Sequence, residues 1–279
     1  GMFQYITFRS IAAFILALLM VIYIGKPIIR KLQKLQIGEE IRDLGLEGQM
    51  AKRGTPTMGG ILILLAILVP SLLFTRLNNI YILLMIISTV WCGAIGFLDD
   101  YIKIVLKRSE GLTPSQKMFG QIIVTGVFAV YMYKFSGISM EMIVPFFPNV
   151  TLDLGFLTIP VMFLAIIGTV NGVNFTDGLD GLATSVTIMV AVFFGVVALG
   201  VKSDVWPIAC AVIGALLGFL LFNVHPASVF MGDTGSLSLG ATLAAIAILT
   251  DHEITLIIVA GVFVLETLVC IIQMLAGRY

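Results

Sequence analysis

Residues 79–98 read NIYILLMIISTVWCGAIGFL, twenty residues without a charged side chain, and Asp99 and Asp100 follow directly. A helix of about 20 mostly apolar residues is long enough to cross the hydrocarbon of a bilayer. Similar apolar stretches lie at about 4–24, 58–75, 118–136, 156–172, 182–200, 207–224, 237–250 and 255–275. We therefore predict an all-α, polytopic membrane helix bundle with nine spans, and a single domain over residues 1–279.

The composition supports lipid as the solvent of this chain. Hydrophobic residues make up 59% of the sequence, charged residues 11%, and the mean hydropathy is +1.10. A soluble domain carries roughly 25% charged residues. The net charge of zero gives no reason to expect nucleic acid as a partner. The three cysteines all lie in apolar stretches, so we interpret them as small hydrophobic residues and not as a disulfide or metal set.

The distribution of lysine and arginine predicts the orientation. With nine spans, the segments after odd-numbered spans lie on one side, and they hold twelve of the sixteen basic residues. Basic residues are enriched in cytoplasmic loops. We therefore expect the N-terminus outside and the odd-numbered loops in the cytoplasm. The outside segment 137–155 has two prolines and alternating apolar residues, which favours a small hairpin.

Five aspartates lie at span ends on the predicted cytoplasmic side: Asp99, Asp100, Asp177, Asp180 and Asp233. Acids at helix ends are often simply solvated. Carboxylates near the hydrocarbon are costly, however, unless a cation or a function holds them. Their grouping suggests a hard-cation site, and Mg²⁺ prefers one or two carboxylates together with substrate phosphate oxygens. We expect adjacent Asp99 and Asp100 not to face one point of a regular helix, so that their roles differ.

Three glycine-rich segments precede apolar spans: GTPTMGG (54–60), DGLDG (177–181) and MGDTGS (231–236). Free N–H groups at helix N-termini bind phosphate, although the same residue types also serve as ordinary helix caps. Basic residues of the same side are candidates to neutralise a diphosphate, or alternatively contact lipid headgroups. These residues are Lys52, Arg53, Lys103, Lys107 and Lys117. Glu266, deep in the ninth stretch, is a further candidate functional acid.

Four motifs in this order make the function specific: GTPTMGG (54–60), GFLDDYIK (96–103), NFTDGLDGLA (174–183) and FMGDTGS (230–236). Together they resemble the bacterial phospho-N-acetylmuramoyl-pentapeptide transferases (MraY translocases), part of the polyprenyl-phosphate N-acetylhexosamine-1-phosphate transferase superfamily. The resemblance covers nearly the whole chain. It implies transfer of phospho-MurNAc-pentapeptide from UDP-MurNAc-pentapeptide to undecaprenyl phosphate, which gives lipid I and UMP. The alternative is a sister enzyme that transfers N-acetylglucosamine-1-phosphate to a polyprenyl phosphate.

The resemblance also implies roles for individual residues. It implies catalytic roles for Asp99, Asp100, Lys52 and Asp180, and a magnesium ligand at Asp233. It implies substrate contacts for Thr57, Asn174, Asp177, Asn223, Phe230 and Lys117. Lys103 and Lys107 are further substrate-binding candidates because of their charge. Phe230 is expected to stack on uracil, and Lys117 to close the nucleotide pocket. The family also carries three consecutive histidines and a tenth span, which this sequence lacks. Either the protein continues beyond Tyr279, as we expect, or this chain is a truncated form of the enzyme.

A different function class, a transporter, predicts acids near the bilayer midplane and inverted repeats. Here the aspartates gather at one side, and no internal repeat is visible, which favours the enzyme. Direct attack by the lipid phosphate and a phospho-enzyme route are both compatible with the sequence. So is a homodimer.

Overall fold

Helices dominate the computed structural model, which describes residues 1–35, 55–108, 110–136, 141–147 and 150–277. Ten α-helices and two short strands follow one another along the described chain. They are α1 (Ile6–Leu35), α2 (Gly60–Phe74), α3 (Ile80–Ile104), α4 (Pro114–Phe135), β1 (Met142–Ile143), β2 (Thr151–Leu152), α5 (Thr158–Thr176), α6 (Leu182–Gly200), α7 (Trp206–Asn223), α8 (Gly232–Ile248), α9 (Glu253–Val259) and α10 (Gly261–Leu275). All nine predicted spans overlap helices, and the predicted all-α membrane bundle is confirmed.

The helices differ in whether they could cross a membrane alone. Six are long and apolar enough: α1, α3, α4, α5 with the 3-10 turn before it, α6 and α7. α2 and α8 are shorter, with 15 and 17 residues. The ninth predicted span is not one straight helix, because α9 and α10 meet at a 76° bend. The bend occurs at Ala260, whose backbone leaves helical geometry (φ −89°, ψ 25°).

α8 is the central helix of the bundle. All of its residues from Thr234 to Ile248 are buried, and it packs against α2, α3, α5 and α6. Its sequence is rich in Gly, Ala, Ser and Thr, which allow neighbouring backbones to come close in a membrane protein. A Cβ atom on Gly96 of α3 would lie 2.2 Å from the carbonyl oxygen of Asp233, and one on Gly60 of α2 would lie 2.0 Å from the amide nitrogen of Gly235. α2 and α3 therefore hold the first turn of α8 by backbone contact.

A cluster of polar side chains links the helices at the end of the bundle remote from the aspartates. The buried Arg9 of α1 donates to the carbonyl oxygen of Phe74 at 3.1 Å and pairs with Asp204 at 3.6 Å. Asn79, which caps the start of α3, also donates to Asp204. This cluster joins α1, the α2–α3 turn and the α6–α7 turn, so the register of those helices is fixed at the end remote from the aspartates.

The predicted hairpin is present as a two-residue antiparallel pair, with Met142 opposite Leu152. The amide of Ile143 donates to the carbonyl oxygen of Asp251, which ties the hairpin to the turn between α8 and α9.

Candidate active site

Three aspartates from two helices converge at one end of the bundle. Asp99 and Asp100 lie in the last turns of α3, and Asp233 lies in the first turn of α8. One carboxylate oxygen from each lies within 4.8 Å of the others. Our expectation that Asp99 and Asp100 would not face one point is therefore wrong. The two carboxylates reach this common cluster while each is held by donors of its own.

The N-terminus of α8 attracts Asp100. Its carboxylate accepts hydrogen bonds from the amide of Asp233 at 3.2 Å, the amide of Thr234 at 3.0 Å and the hydroxyl of Thr234 at 2.6 Å. An acid at this position satisfies first-turn N–H groups and interacts favourably with the helix dipole. Asp100 is buried, so it acts as a cap supplied by one helix to another.

Lysines and a backbone amide attract Asp99, which is fully buried. Lys103, one turn later on α3, lies 2.5 Å from its Oδ2, and Lys117 of α4 lies 3.4 Å from its Oδ1. The amide of Leu112 donates to the same Oδ1 at 2.8 Å. Gly111 makes this approach possible, since a Cβ there would lie 2.4 Å from Asp99 Oδ1.

Asp233 accepts hydrogen bonds from Lys117 of α4 and from Asn174 of α5. Its Oδ2 accepts from Lys117 Nζ at 2.8 Å, and its Oδ1 accepts from the Asn174 amide at 3.0 Å. Asn174 also donates to the hydroxyl of Ser236 at 2.9 Å. The orientation of the Asp233 carboxylate is thus defined by α4 on one side and α5 on the other.

A cleft of about 350 Å³ opens beside these acids. Phe230 and Thr57 lie on its wall, together with Lys103. The backbone of Phe230 is fixed, because its amide donates to Pro56 O at 2.8 Å and its carbonyl oxygen accepts from Gly59 N at 2.9 Å. The other lining residues are Asp100, Ile104, Asn174, Asp177, Gly178, Leu179, Gly232 and Asp233. Among the described residues, the lining therefore includes aspartates, a lysine and a phenylalanine.

Comparison with known proteins identifies the family of this chain. The family model for Glycosyl transferase family 4 matches residues 81–251, and Phospho-N-acetylmuramoyl-pentapeptide-transferase signature 1 matches residues 52–64. Phospho-N-acetylmuramoyl-pentapeptide transferases of Citrifermentans bemidjiense and Geobacter sp. strain M21 are each 44% identical to this chain, and that of Pelobacter propionicus is 45% identical. Each alignment covers 100% of this chain and 82% of the relative.

The chain belongs to the phospho-N-acetylmuramoyl-pentapeptide transferase family.

The resemblance of the four sequence motifs is thereby confirmed. The roles assigned to single residues in this family member stay predictions, and the structure describes where most of them lie. It brings Asp99, Asp100, Asp233, Asn174, Asp177, Lys103, Lys117, Thr57 and Phe230 to the cleft or to its acid cluster.

Two other predicted residues, Asp180 and Asn223, are not among the residues that line the cleft. Asp180 accepts from the Ala227 amide at 3.2 Å and contacts His225 at 3.0 Å. Asn223 is buried, where its oxygen accepts from Thr184 at 2.6 Å and its nitrogen donates to Val229 O at 3.0 Å. Both side chains thus hold the 224–229 loop.

The remaining two predicted lysines, Lys107 and Lys52, differ in what the structure describes of them. Lys107 is exposed in the loop after α3 and is not among the residues that line the cleft. Lys52 lies outside the described residues.

Two of the glycine-rich segments, 54–60 and 231–236, act as helix starts whose N–H groups bond within the protein. Gly60 N donates to Met231 O at 2.7 Å, and Gly232 N donates to Asp177 Oδ2 at 3.2 Å. The first N–H groups of α8 bind Asp100. The capping interpretation accounts for these bonds, so these particular amides are not free for a diphosphate in the cleft.

Sequence reasoning overlooked three positions that shape the site. Thr234 and Ser236 belong to the MGDTGS motif, and their hydroxyls bond to Asp100 and to Asn174. Hydroxyl residues that closely follow a candidate metal ligand in sequence could have been predicted to orient the site. Leu112 contributes only its backbone amide to Asp99. Nothing in its side chain could have indicated that role.

The acid cluster fits a divalent cation. Its donors are carboxylate oxygens, the ligand type that Mg²⁺ prefers, and they come from rigid helix ends. Asn174 and Leu112 orient two of the carboxylates, as outer partners commonly do at metal sites. Asp99, Asp100 and Asp233 are therefore the residues that could hold the ion.

Proposed function

We propose that this protein transfers phospho-MurNAc-pentapeptide from UDP-MurNAc-pentapeptide to undecaprenyl phosphate, with lipid I and UMP as products. The observation that carries the proposal is the cluster of Asp99, Asp100 and Asp233 beside a cleft that also holds Lys103 and Phe230. The substrate class follows from the shared family and from the name of the relatives, phospho-N-acetylmuramoyl-pentapeptide transferase. The N-acetylglucosamine alternative has no comparable support among these relatives.

The reaction exchanges one P–O bond for another. An oxygen of the lipid phosphate forms a bond to the β-phosphorus of the nucleotide-sugar, while the bond from that phosphorus to the oxygen bridging the α-phosphate breaks and UMP leaves. Phosphoryl transfer depends mainly on positioning and on neutralising charge. Lys103 and Lys117 are the ammonium groups available for this, and Phe230 offers a ring on which uracil can stack.

The hydrogen bonds of Asp99 and Asp100 favour direct attack by the lipid phosphate over a route through a phospho-enzyme intermediate. Both oxygens of Asp100 accept from α8, so nucleophilic attack by Asp100 would require breaking the cap of that helix. Asp99 is fully buried behind Lys103 and the Leu112 amide. The lipid phosphate, already anionic, requires neither carboxylate as a nucleophile.

We further propose Mg²⁺ as the cofactor, with Asp233 as a ligand and Asp99 and Asp100 as its neighbours. When bound, the ion would supply positive charge against the diphosphate oxygens. The chain's own part is to hold the three carboxylates together and to keep Asp233 oriented through Asn174.

The cellular setting belongs to the same proposal. The chain is a multi-pass membrane protein, and we place it in the bacterial inner membrane with the cleft at the cytoplasmic face. The basic residues on the cleft side support this orientation. A soluble nucleotide-sugar would enter from the cytoplasm, and the lipid phosphate would come from the bilayer.

The transfer reaction can be tested with detergent-solubilised protein and undecaprenyl phosphate. We expect UMP release and a lipid-linked product with UDP-MurNAc-pentapeptide, and at most slow release with UDP-N-acetylglucosamine. Faster turnover of UDP-N-acetylglucosamine would favour the sister enzyme. Absence of UMP with both donors, from protein of normal melting temperature, would contradict the transferase.

The metal ligand can be tested by thermal unfolding. Mg²⁺ should raise the melting temperature of the wild type, because a ligand that binds only the folded state stabilises it. Asp233→Ala should abolish this rise and the transfer activity. Asp153→Ala, which removes an exposed acid from the hairpin region, is the matched control. An undiminished Mg²⁺ response in Asp233→Ala would exclude Asp233 as a ligand.

A further inference from the structure

Lys117 contacts the carboxylate oxygens that a divalent cation would use. Its ammonium lies 2.8 Å from Asp233 Oδ2 and 3.4 Å from Asp99 Oδ1. The other oxygen of Asp233 accepts from Asn174. Oδ2 is therefore the oxygen of Asp233 best placed for a cation, and it is the one that Lys117 contacts.

We propose that Lys117 competes with the divalent cation, so that the ammonium and the ion alternate on Asp233 and Asp99. This inference rests on the proposed metal site. A magnesium ion binds carboxylate oxygens at about 2.0–2.1 Å. An ion on Asp233 Oδ2 would then lie within a few ångströms of the ammonium if that group did not move, and two cations so close in a buried site repel strongly.

The negative charge of the buried carboxylates explains why a lysine lies where the cation would bind. Asp99 and Asp100 are buried and Asp233 is mostly so, and uncompensated carboxylates in such a place are costly. Lys117 supplies compensating charge whenever the ion is away. When the ion binds, Lys117 swings towards the cleft, where it becomes available to the phosphates of the nucleotide.

The backbone of Lys117 is held firmly enough that only its side chain needs to move. Thr113 and Gln116 form a capping box at the start of α4, directly before Lys117. One turn later, Gln121 accepts a hydrogen bond from Asn171 of α5 at 2.7 Å. These contacts fix the first two turns of α4 against α5, so the exchange requires no movement of the helix.

The first experiment measures lysine acylation site by site in the detergent-solubilised full chain. A short pulse of an acetyl ester is applied with EDTA or with saturating Mg²⁺, without nucleotide, and acetylation is read by mass spectrometry. We expect acetylation of Lys117 to rise about threefold or more with Mg²⁺, in the range that loss of one ion pair implies. Lys107 at the same end and Lys202 at the other end, both exposed, should not change.

The second experiment measures Mn²⁺ affinity by titration of the free ion. Lys117→Met should tighten binding by about tenfold or more, the scale on which a neighbouring charge alters a carboxylate equilibrium. Lys103→Met, which removes a lysine that contacts Asp99 only on its other oxygen, should have a smaller effect. Lys107→Met should have none.

The outcomes separate the two proposals. Mn²⁺ binding together with unchanged Lys117 acetylation would overturn the exchange and leave the metal site intact. Equal tightening by Lys103→Met and Lys117→Met would also overturn it, because general charge repulsion would then suffice. No saturable binding to the wild type would overturn the metal site and the exchange together.

Discussion

At the scale of single residues, Asp99 and Asp100 are neighbours in sequence but differ in what holds them. Asp100 caps α8, whereas Asp99 pairs with lysines and with the Leu112 amide. We expect Asp100→Asn to lower both turnover and stability, because an amide nitrogen would then face the N–H or O–H donors of α8. A loss of about 1–2 kcal/mol corresponds to a melting temperature lower by roughly 2–8 °C.

Asp99→Asn should act mainly on turnover. It keeps an oxygen for the Leu112 amide and loses charge opposite Lys103 and Lys117. We expect a rate loss of about a hundredfold or more, as for other groups that organise charge at a reacting centre, with a smaller change in melting temperature than in Asp100→Asn. UMP release and thermal unfolding, measured on both variants, test the difference. Equal melting temperatures would contradict the capping role of Asp100.

Phe230 is the aromatic side chain placed on the cleft wall by backbone bonds to Pro56 and Gly59. Stacking of a base on an aromatic ring contributes about 1–3 kcal/mol. We therefore expect Phe230→Ala to weaken UMP binding by about 5- to 150-fold, with little change in the melting temperature. Isothermal titration of UMP checks this. Phe147→Ala, which removes an exposed ring from the hairpin, is the control, and equal UMP affinity in wild type and Phe230→Ala would remove Phe230 from the nucleotide site.

At the scale of elements, the site depends on how closely α3 approaches the start of α8. A Cβ on Gly96 would lie 2.2 Å from the carbonyl oxygen of Asp233 and 2.5 Å from the amide of Thr234. Gly96→Ala must therefore push the two backbones apart and lengthen the bonds from α8 to Asp100. We expect a loss of about 1–3 kcal/mol, typical of overpacking, and a drop in turnover larger than this loss of stability would explain.

Gly200→Ala is the matched control for this prediction. Gly200 ends α6, and a Cβ there meets nothing within 4 Å. This substitution should leave turnover unchanged and stability equal or slightly higher, because alanine restricts the unfolded chain more than glycine does. Thermal unfolding and UMP release, measured on Gly96→Ala and Gly200→Ala, test whether the close approach of α3 to α8 is required for turnover. Normal turnover in Gly96→Ala would show that the close approach is not required for the site.

At the scale of the whole molecule, the orientation remains a prediction from the basic residues. Arg76 and Arg108 are both exposed; Arg76 precedes α3 in the chain and Arg108 follows it, so they mark the two ends of this helix. With Cys92, Cys210 and Cys270 replaced by alanine, a cysteine at position 76 should react with a membrane-impermeant maleimide in intact cells. A cysteine at position 108 should react only after permeabilisation. The reversed pattern would place the cleft outside and contradict the proposed cytoplasmic entry of the nucleotide-sugar.

The sequence by itself determined the membrane class, the approximate helices and the end of the bundle that carries the chemistry. Hydropathy is a local property, so each predicted span overlaps a helix. Alternation of the spans then places Asp99, Asp100, Asp177 and Asp233 at one end before any helix is packed. The four motifs further fixed the family, because their spacing is specific.

Only the tertiary structure decided which atoms meet. Asp100 and the Thr234 amide are 134 residues apart, and Lys117 and Asp233 are 116 apart, so their contact depends on how α3, α4 and α8 pack. The same packing brings Asn223 to Thr184 and bends the ninth span at Ala260. A sequence pattern reports which side of a helix is apolar. It does not report how closely two helices pack. Here the close backbone contacts at Gly96 and Gly60 set the distance of α3 and α2 from α8.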